Sequence, residues 1–419
     1  MKILWVKAGG LVPLDSGGKI RSFHIASELA RMHEVTFFTF CGEDSSDAQR
    51  TLSSTFHKVV VHPLKVRAGR GIAEALEYMG SFFAALPHSI SKYCRPEVAT
   101  HLRDIVAEEA YDVILCDFLS PAAAIPFDCG VPVVIFTHNV EATIWRRHMD
   151  VAKNPIWRFV FKREYEKMRA AEVHYLKLSK HVLTVSDTDT AMFARDIDRV
   201  KITTIPTGVD IRYFQPYFQP MSGEEPDSMV FTGSMDWMPN VDGIVYFVEQ
   251  ILPLIRKQHP RATLWVVGRK PDRTIRAMAE RDSSIKVTGR VEDIRPYIAK
   301  GAVYIVPLRV GSGTRLKIFE AMAMGKAVVS TTIGAEGLPV TNGVDIVLAD
   351  EPDRFANEVC RLLESSSERK RIGAAARTLV EEKYSWEVVA KQVESVLRMQ
   401  SLSQTSKSTY RLKGIGKSP

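Results

Sequence analysis

Short apolar runs alternate with longer segments of helical periodicity through the first half of the chain. Because polar residues do not interrupt these runs, they are typical of parallel strands that are buried on both faces. The periodic segments between them, such as residues 155–178, predict helices that cover the sheet. The predicted strands are residues 3–6, 35–40, 59–61, 113–116, 133–136, 182–185 and 202–205.

The same alternation resumes after a break in the middle of the chain. Residues 215–227 contain three prolines and a glycine and have no periodicity, which predicts a linker. The two series therefore predict an α/β protein of two doubly wound, Rossmann-like domains that face a central crevice. The predicted strands of the second series are residues 229–232, 263–267, 285–288, 303–306, 327–330 and 346–348.

These patterns also predict where each part of the chain begins and ends. We assign residues 1–210 to the first domain, 211–227 to the linker and 228–384 to the second domain. An amphipathic helix at 385–399 is expected to pack back toward the first domain. Residues 400–419 are rich in Ser, Thr and Lys, so we expect them to form a disordered basic tail.

Composition narrows the class of partner. The chain has 419 residues, of which 45% are hydrophobic, so each of two domains can bury a full core. Its net charge of +7 favours anionic partners such as phosphorylated small molecules or anionic lipid. A long Lys/Arg cluster interleaved with aromatic residues is not evident, so we expect no nucleic-acid partner.

Cysteine usage and hydropathy predict the compartment. The five cysteines are widely spaced and form no C-x-x-C motif, which favours a reducing compartment over a disulfide framework or a zinc site. No apolar run reaches the roughly 18 residues of a membrane-spanning helix, and no signal peptide precedes the first strand. We expect a cytoplasmic protein. Residues 69–92 mix apolar and basic side chains, so they suit either an anionic membrane surface or packing on their own domain.

Two loops of the first domain carry candidate chemistry. Gly17 and Gly18 precede a predicted helix, where backbone N–H groups can approach a phosphate, although they can equally serve a turn. His138 ends a strand and can hydrogen-bond a sugar hydroxyl or carry a proton. Asp117 ends the neighbouring strand, where it can support His138 or cap the next helix.

The densest signal is the stretch from 307 to 325, in which a buried strand runs into a glycine loop and a helix. Arg315 and Lys317 lie in the first turn of that helix, where cations oppose the helix dipole, and a bound diphosphate would resolve the conflict. Glu320 follows between apolar neighbours, where it can accept hydrogen bonds from a ribose diol or remain a solvated surface carboxylate. The loop residues Ser312, Gly313 and Thr314 complete this candidate site.

At these residues the chain resembles the GT-B glycosyltransferases, specifically the large retaining family 4, also called group 1. The motifs occur in the family's order, and the resemblance covers nearly the whole chain except the tail. The phrase I-P-T-G-V-D at 205–210 is close to the family's I-P-N-G-V-D, and G-K-A-V-V-S at 325–330 also fits. The run S-G-T-R-L-K-I-F-E-A-M-A is similar to enzymes of exopolysaccharide assembly.

The resemblance implies a role for each matching position. Glu320 corresponds to the second glutamate of the family's E-x7-E motif, which holds the donor ribose, and His138 to the histidine that approaches the donor sugar. The Gly17–Gly18 loop corresponds to the one near the diphosphate. Val291 corresponds to the position whose backbone meets the nucleobase. The remaining donor-binding positions are Gly233, Ser234, Gly289 and Arg290.

Two departures change what is expected of the site. The first glutamate of E-x7-E falls at Ser312, so contacts with the transferred sugar must differ. The loop at 232–240 lacks the Arg and Lys that many relatives have there for the diphosphate, which makes Arg315 and Lys317 candidate substitutes. The D-x-D at 187–189 is interpreted as a helix cap. We therefore predict electrostatic catalysis without a metal or cofactor.

The predicted activity is sugar transfer with retention, from a UDP-, GDP- or ADP-sugar to a glycan or lipid-linked acceptor, in cell-surface polysaccharide synthesis. Two alternatives remain from the residues alone. One is a sugar-nucleotide epimerase of the same architecture, and the other is a non-catalytic sugar-nucleotide-binding protein.

Overall fold

The fold is seen in a computed structural model, which describes residues 1–42, 46–64, 84–152, 154–216, 223–310 and 316–413. The chain divides into two compact units. The first unit comprises Met1–Pro206 together with Val389–Pro419, and the second comprises Thr207–Val388. Among the described residues, no helix combines the length and the apolar character that crossing a bilayer requires.

The first unit is built on a seven-stranded sheet in the order β3-β2-β1-β4-β5-β6-β7, in which neighbouring strands are parallel. The strand order reverses on either side of β1, which creates a switch point at the carboxyl ends of β1 and β4. The strands are β1 (Lys2–Ala8), β2 (Glu34–Cys41), β3 (Lys58–Pro63), β4 (Val113–Asp117), β5 (Val133–Phe136), β6 (His181–Thr184) and β7 (Ile202–Thr204).

Helices connect these strands as a parallel sheet requires. They are α1 (Gly17–Ala30), α2 (Ser46–Thr55), α3 (His88–Ser91), α4 (Pro96–Glu108), α5 (Glu141–Val151), α6 (Pro155–Leu178) and α7 (Asp187–Phe193), with short 3₁₀ turns at Ala122–Ala124 and Arg199–Lys201.

The second unit repeats this plan with a six-stranded sheet in the order β10-β9-β8-β11-β12-β13, again with parallel neighbours. Its switch point lies between β8 and β11. The strands are β8 (Glu225–Thr232), β9 (Thr263–Val267), β10 (Ile285–Val287), β11 (Gly301–Val306), β12 (Val328–Ser330) and β13 (Val347–Leu348).

The helices of the second unit are α8 (Met238–Tyr246), α9 (Leu252–Arg256), α10 (Arg273–Arg281), α11 (Arg295–Lys300), α12 (Leu316–Ala323), α13 (Pro352–Glu364) and α14 (Ser366–Lys383), and a π-helical turn at Phe247–Ile251 joins α8 to α9. The last helix, α15 (Trp386–Lys413), begins at the end of this unit and continues into the first.

The prediction of two α/β Rossmann-like domains is confirmed, because every predicted strand occurs in one of the two sheets. The apolar runs were a reliable guide since the central strands are buried on both faces. Ile3, Leu4, Trp5 and Val6 of β1 are all inaccessible to solvent, and each unit has its own apolar core.

The boundaries differ from the predicted ones at two places. The second unit begins at Thr207, and Phe214 is buried in its core, so part of the predicted linker belongs to that unit. Helix α15 extends to Lys413, whereas we expected a disordered tail from residue 400. Residues 400–413 contain neither glycine nor proline, so no residue there interrupts a helix that has already started.

Candidate active site

A buried charged cluster lies at the switch point of the first unit. Asp117 ends β4, and His138 follows β5, the neighbouring parallel strand. The Asp117 carboxylate accepts hydrogen bonds from His138 Nε2 at 2.8 Å, from Lys7 Nζ at 3.0 Å and from Trp5 Nε1 at 3.1 Å. The structure therefore shows that Asp117 supports His138, which is one of the two roles left open for it.

Burial and pairing determine the protonation states in this cluster. Burial by itself would raise the pKa of Asp117, but Lys7 and His138 outweigh it and hold that pKa well below its usual range. Burial lowers the pKa of His138 to about 4, although Asp117 opposes the change. At neutral pH the cluster therefore contains a carboxylate and a neutral imidazole.

Both ring nitrogens of His138 have partners within the first unit. Its Nδ1 lies 3.2 Å from Nη1 of Arg21, and a neutral ring bonded to Asp117 through Nε2–H accepts the Arg21 hydrogen bond at Nδ1. The ring also stacks on Phe118 with centroids 3.8 Å apart, and only 1% of the side chain is exposed. The predicted contact of His138 with a donor sugar stays a prediction, and it requires one of these hydrogen bonds to open.

Gly17 and Gly18 form the first turn of α1, whereas we expected them to precede this helix. A Cβ atom on Gly18 would lie 2.6 Å from the ζ carbon of Phe118, the ring that covers His138. The same ring has Lys7 Nζ 4.3 Å from its centroid. The close packing of Phe118 therefore explains why a glycine stands at position 18. The predicted contact of Gly18 with a diphosphate stays a prediction.

Lys317 is the central cation of the second unit. It lies in the first turn of α12, and its Nζ donates to Asn240 Oδ1 at 2.8 Å and sits 3.9 Å from the centre of the Phe231 ring. A Cβ atom on Gly233 would be only 2.7 Å from Nζ, so the lysine lies directly against the loop after β8. The ammonium group of Lys317 thus lies against the loop at 232–240, which lacks the Arg and Lys that many family members have there.

Glu320 lies one turn after Lys317, and its side chain is half-buried. Burial raises its pKa to about 7, with Lys317 acting in the opposite direction. Within the described parts of the chain, no group hydrogen-bonds its carboxylate. Burial disfavours the ionised carboxylate, and a ligand that supplies hydrogen-bond donors would offset this cost, which is compatible with a binding role for Glu320.

The other predicted positions are distributed around the carboxyl edge of the second sheet. Ser234 Oγ donates to Asp236 at 2.5 Å and accepts from Arg269 Nε at 3.0 Å. Gly289 has a left-handed backbone with φ of 70°, and Arg290 beyond it is exposed, while Val291 packs against the core. The predicted residues Ser312, Gly313, Thr314 and Arg315 lie outside the described residues.

The comparisons with known proteins agree with this layout. A family model described as Glycosyltransferase Family 4 matches residues 16–213, and one described as Glycosyl transferases group 1 matches residues 226–365. The two matches together span most of the chain and meet near the boundary between the units. The chain belongs to the family 4, group 1 glycosyltransferases.

The individual relatives are only distantly similar to this chain in sequence. The GDP-mannose-dependent monoacylated alpha-(1-6)-phosphatidylinositol monomannoside mannosyltransferase of Corynebacterium glutamicum is 25% identical over 210 residues, which is 46% of this chain and 55% of the relative. The MMP alpha-(1->4)-mannosyltransferase of Mycolicibacterium hassiacum is 25% identical over 284 residues, 64% of this chain and 65% of the relative. The chain spans about half the length of the curated relatives it matches.

Solved structures support the fold over almost the whole chain. The crystal structure of HepE from Anabaena in complex with UDP superposes with a TM-score of 0.65 at 16% identity, covering 95% of this chain and 100% of that chain. At this identity the likeness concerns the fold alone, which is the GT-B arrangement of two Rossmann-like domains.

Several residues of this family 4 chain escaped prediction because they lie inside regular elements. Lys7 is a cation near the carboxyl end of an otherwise apolar strand, which is a signal that could have been used. Arg21 lies on the buried face of α1, and Asn240 contacts Lys317 only through the fold. One interpretation was wrong in detail: Ser186 caps α7, while Asp187 and Asp189 lie in its first turn.

Proposed function

We propose that this chain is an enzyme that transfers a sugar from a nucleotide-sugar donor to a glycan or lipid-linked acceptor. The second unit would bind the donor and the first unit the acceptor. Membership of the glycosyltransferase family supports the reaction class. The role in synthesis of a cell-surface polysaccharide rests on the resemblance of the 312–323 stretch to exopolysaccharide enzymes.

The observation that carries the proposal is the contact of Lys317 with the loop after β8, one helical turn from Glu320. An ammonium group next to the Gly233 backbone suits the oxygens of a diphosphate. A carboxylate that lacks partners among the described residues suits the two hydroxyls of a ribose. Lys317 and Glu320 lie three residues apart on α12, so both side chains can face one ligand.

Charge development on the departing diphosphate explains how the site would accelerate transfer. Lys317, Arg315 and the N-terminus of α12 would stabilise the negative charge as the bond to the sugar breaks. These groups take the part that a metal ion plays in other transferases, and the proposal therefore needs no metal. Activity that persists after treatment with EDTA is the expected result.

Retention of anomeric configuration is proposed from the family resemblance, by front-face attack without a covalent intermediate. In this chain His138 is neutral and tied to Asp117 and Arg21, so its proposed role is to hold the geometry near the sugar. Nuclear magnetic resonance of the first product formed tests this point, since inversion would exclude the mechanism.

The donor is best identified by a thermal-shift panel of UDP-, GDP- and ADP-sugars, because a ligand that binds the native state raises its melting temperature. The Corynebacterium relative is GDP-mannose-dependent, and HepE was crystallised in complex with UDP, so GDP- and UDP-sugars should be tested first. A shift with one nucleotide class names the base, and no shift with any of them would refute donor binding.

Turnover of that donor tests the diphosphate site. Lys317→Ala and Arg315→Ala are each expected to lower kcat/KM by about 10- to 100-fold, the effect of losing one charge-assisted hydrogen bond. Lys383→Ala, which changes an exposed lysine at the end of α14, is the matched control and should leave turnover unchanged. Unchanged kcat/KM in both site variants would refute the assignment.

Two other activities share the architecture, an epimerase and a non-catalytic binder of sugar nucleotides, and the comparisons support neither. An epimerase would convert the donor without an acceptor, and a binder would leave it intact. Donor consumption measured with and without acceptor therefore separates all three. We also propose a reducing, cytoplasmic location, because no disulfide joins the cysteines in the part of the chain that the structure describes.

A further inference from the structure

The hairpin of α5 and α6 projects from the first sheet. Helix α5 leaves the carboxyl edge after β5, and α6 must return to the amino edge before β6. Its 24 residues are about 36 Å long, far longer than the neighbouring strands. The amide of Ala142 donates to Glu172 at 3.2 Å, so Pro155 lies about 25 Å further along α6 than the start of α5. The first part of α6 therefore extends beyond the edge that carries His138.

We call residues 144–152 and 154–163 the hairpin tip. Its apolar side chains are exposed to an unusual degree: 71% of Ile156, 56% of Trp157 and 61% of Phe159 are accessible, as is 43% of Ile144 on α5. The buried residues of α6 all lie between Glu164 and Leu176, so the tip does not use these side chains to pack on the sheet. Adjacent exposed aromatic and aliphatic residues of this size mark an interaction surface.

The tip is also strongly basic. Its residues, 144–152 and 154–163, include five Lys or Arg and one acidic residue, a local net charge of +4 in a chain whose net charge is +7. Arg146, Arg158 and Lys162 are exposed among the apolar side chains. Cations and aromatic residues therefore interleave here, which we did not expect from the sequence.

The aromatic residues of the two helices hold the tip together. Phe161 contacts Trp157 with ring centroids 5.8 Å apart, His148 at 5.5 Å and Trp145 at 6.2 Å. Beside them an open cavity of about 390 Å³ is lined by Ala152, Asn154, Trp157 and Phe161. The exposed residues thus sit on an ordered scaffold with an apolar recess.

We propose that the hairpin tip docks onto an anionic phospholipid surface. Tryptophan and phenylalanine partition into the interfacial region of a bilayer, and neighbouring cations bind its phosphates. The exposed aliphatic residues Ile144 and Ile156 suit the apolar region of a bilayer better than a phosphate backbone, and the net positive charge opposes association with a second copy of the tip. The membrane segment suggested from sequence, 69–92, lies largely outside the described residues.

This inference rests on the proposed function where it concerns the acceptor, because a docked tip would bring the carboxyl edge of the first sheet to lipid-linked acceptors. Binding to the bilayer itself needs neither donor nor acceptor. Docking and sugar transfer can therefore fail separately.

Vesicle co-sedimentation of the full chain tests the docking. The vesicles contain phosphatidylcholine alone or phosphatidylcholine mixed with phosphatidylglycerol. We expect binding to the mixed vesicles that weakens as salt increases. Arg158→Glu with Lys162→Glu should weaken it by about fivefold for each cation removed. The triple change Ile156→Ser, Trp157→Ser, Phe159→Ser should weaken it by at least about tenfold.

A matched control lies at the other end of the same helix. Lys177→Glu with Leu178→Ser changes an exposed cation and an exposed apolar residue there, and should leave vesicle binding unchanged. Thermal shifts with the donor check that each variant is folded and separate docking from donor binding. Wild-type protein that ignores anionic vesicles, or tip variants that bind as the wild type does, would overturn the proposal. So would light scattering that shows a dimer dissociated by the triple change without vesicle binding.

Discussion

The charged clusters at the two switch points differ in how completely the protein satisfies them. In the first unit Asp117 has three side-chain donors, and His138 is bonded at both ring nitrogens. In the second unit Lys317 contacts Asn240, but Glu320 has no hydrogen bond to its carboxylate from any residue that the structure describes. Both clusters follow from the same rule of strand topology.

This difference separates two uses of buried charge. A cluster whose members satisfy one another holds a loop in place, and removing one member leaves the others unpaired. A carboxylate that receives no hydrogen bond from the described residues can accept donors from a ligand. The first cluster should therefore respond mainly in stability, and the second mainly in donor binding.

The largest expected effect is the loss of stability in Asp117→Ala. This change leaves Lys7 buried without its counter-charge, and it should lower the free energy of unfolding by about 3–5 kcal/mol. Denaturant titration measures the loss. Asp128→Ala, which breaks the exposed pair with Arg103, is the control and should leave the free energy of unfolding nearly unchanged. Equal losses in both variants would mean that the first cluster is not a structural unit.

The next effect concerns pH and His138. Because its pKa falls from 6.5 to about 4 in the folded state, the unfolded chain binds more protons between these values. The contribution of His138 is present above pH 6.5 and is lost as pH falls to 4, about 3 kcal/mol in all. His138→Gln should abolish this part of the pH dependence in denaturant titrations. A variant that retains the wild-type slope would show that His138 is not buried in its neutral form.

Gly233→Ala tests the second cluster and should have a smaller effect than the two preceding changes. The added methyl group would meet the ammonium of Lys317 and displace it, so donor affinity should fall about tenfold by calorimetry. Gly343→Ala is the matched control, because its backbone is also left-handed and no atom lies within 4 Å of the added Cβ. Gly343→Ala should lower the free energy of unfolding by about 1 kcal/mol because of backbone strain, and it should leave donor affinity unchanged. Equal affinity in the two variants would contradict the diphosphate role of Lys317.

The smallest effect is the pH dependence due to Glu320, and its sign is opposite to that of His138. A carboxyl group whose pKa rises from 4.5 to about 7 stabilises the fold at low pH, and this contribution is lost as pH increases through that interval. Since the side chain is half-buried, we expect only about 1 kcal/mol. Glu320→Gln should remove the decline in unfolding titrations. A decline that persists in the variant would assign it to other groups.

Most of the fold could be predicted because burial on both faces leaves a direct mark on the sequence. Strands β5 and β9 were predicted to the residue, since their ends coincide with the ends of apolar runs. The end of α15 was not predicted, because a segment rich in Ser, Thr and Lys does not by itself terminate a helix. Lys317 was singled out because cations oppose the dipole in a first helical turn, and Glu320 because apolar residues flank it. Their roles in donor binding stay predictions.

By itself, the sequence determined that two parallel sheets form, and that a helix with Lys317 and Glu320 follows a buried strand. Hydrophobic periodicity and local helix electrostatics are sufficient for both. Only the tertiary structure decided which partners meet. Lys7, Asp117 and Arg21 come from β1, β4 and α1. Asp117 and Arg21 contact His138, and Lys7 contacts Asp117, because parallel strands end at one edge and α1 begins there. Such contacts depend on strand order and helix packing, which no local pattern encodes.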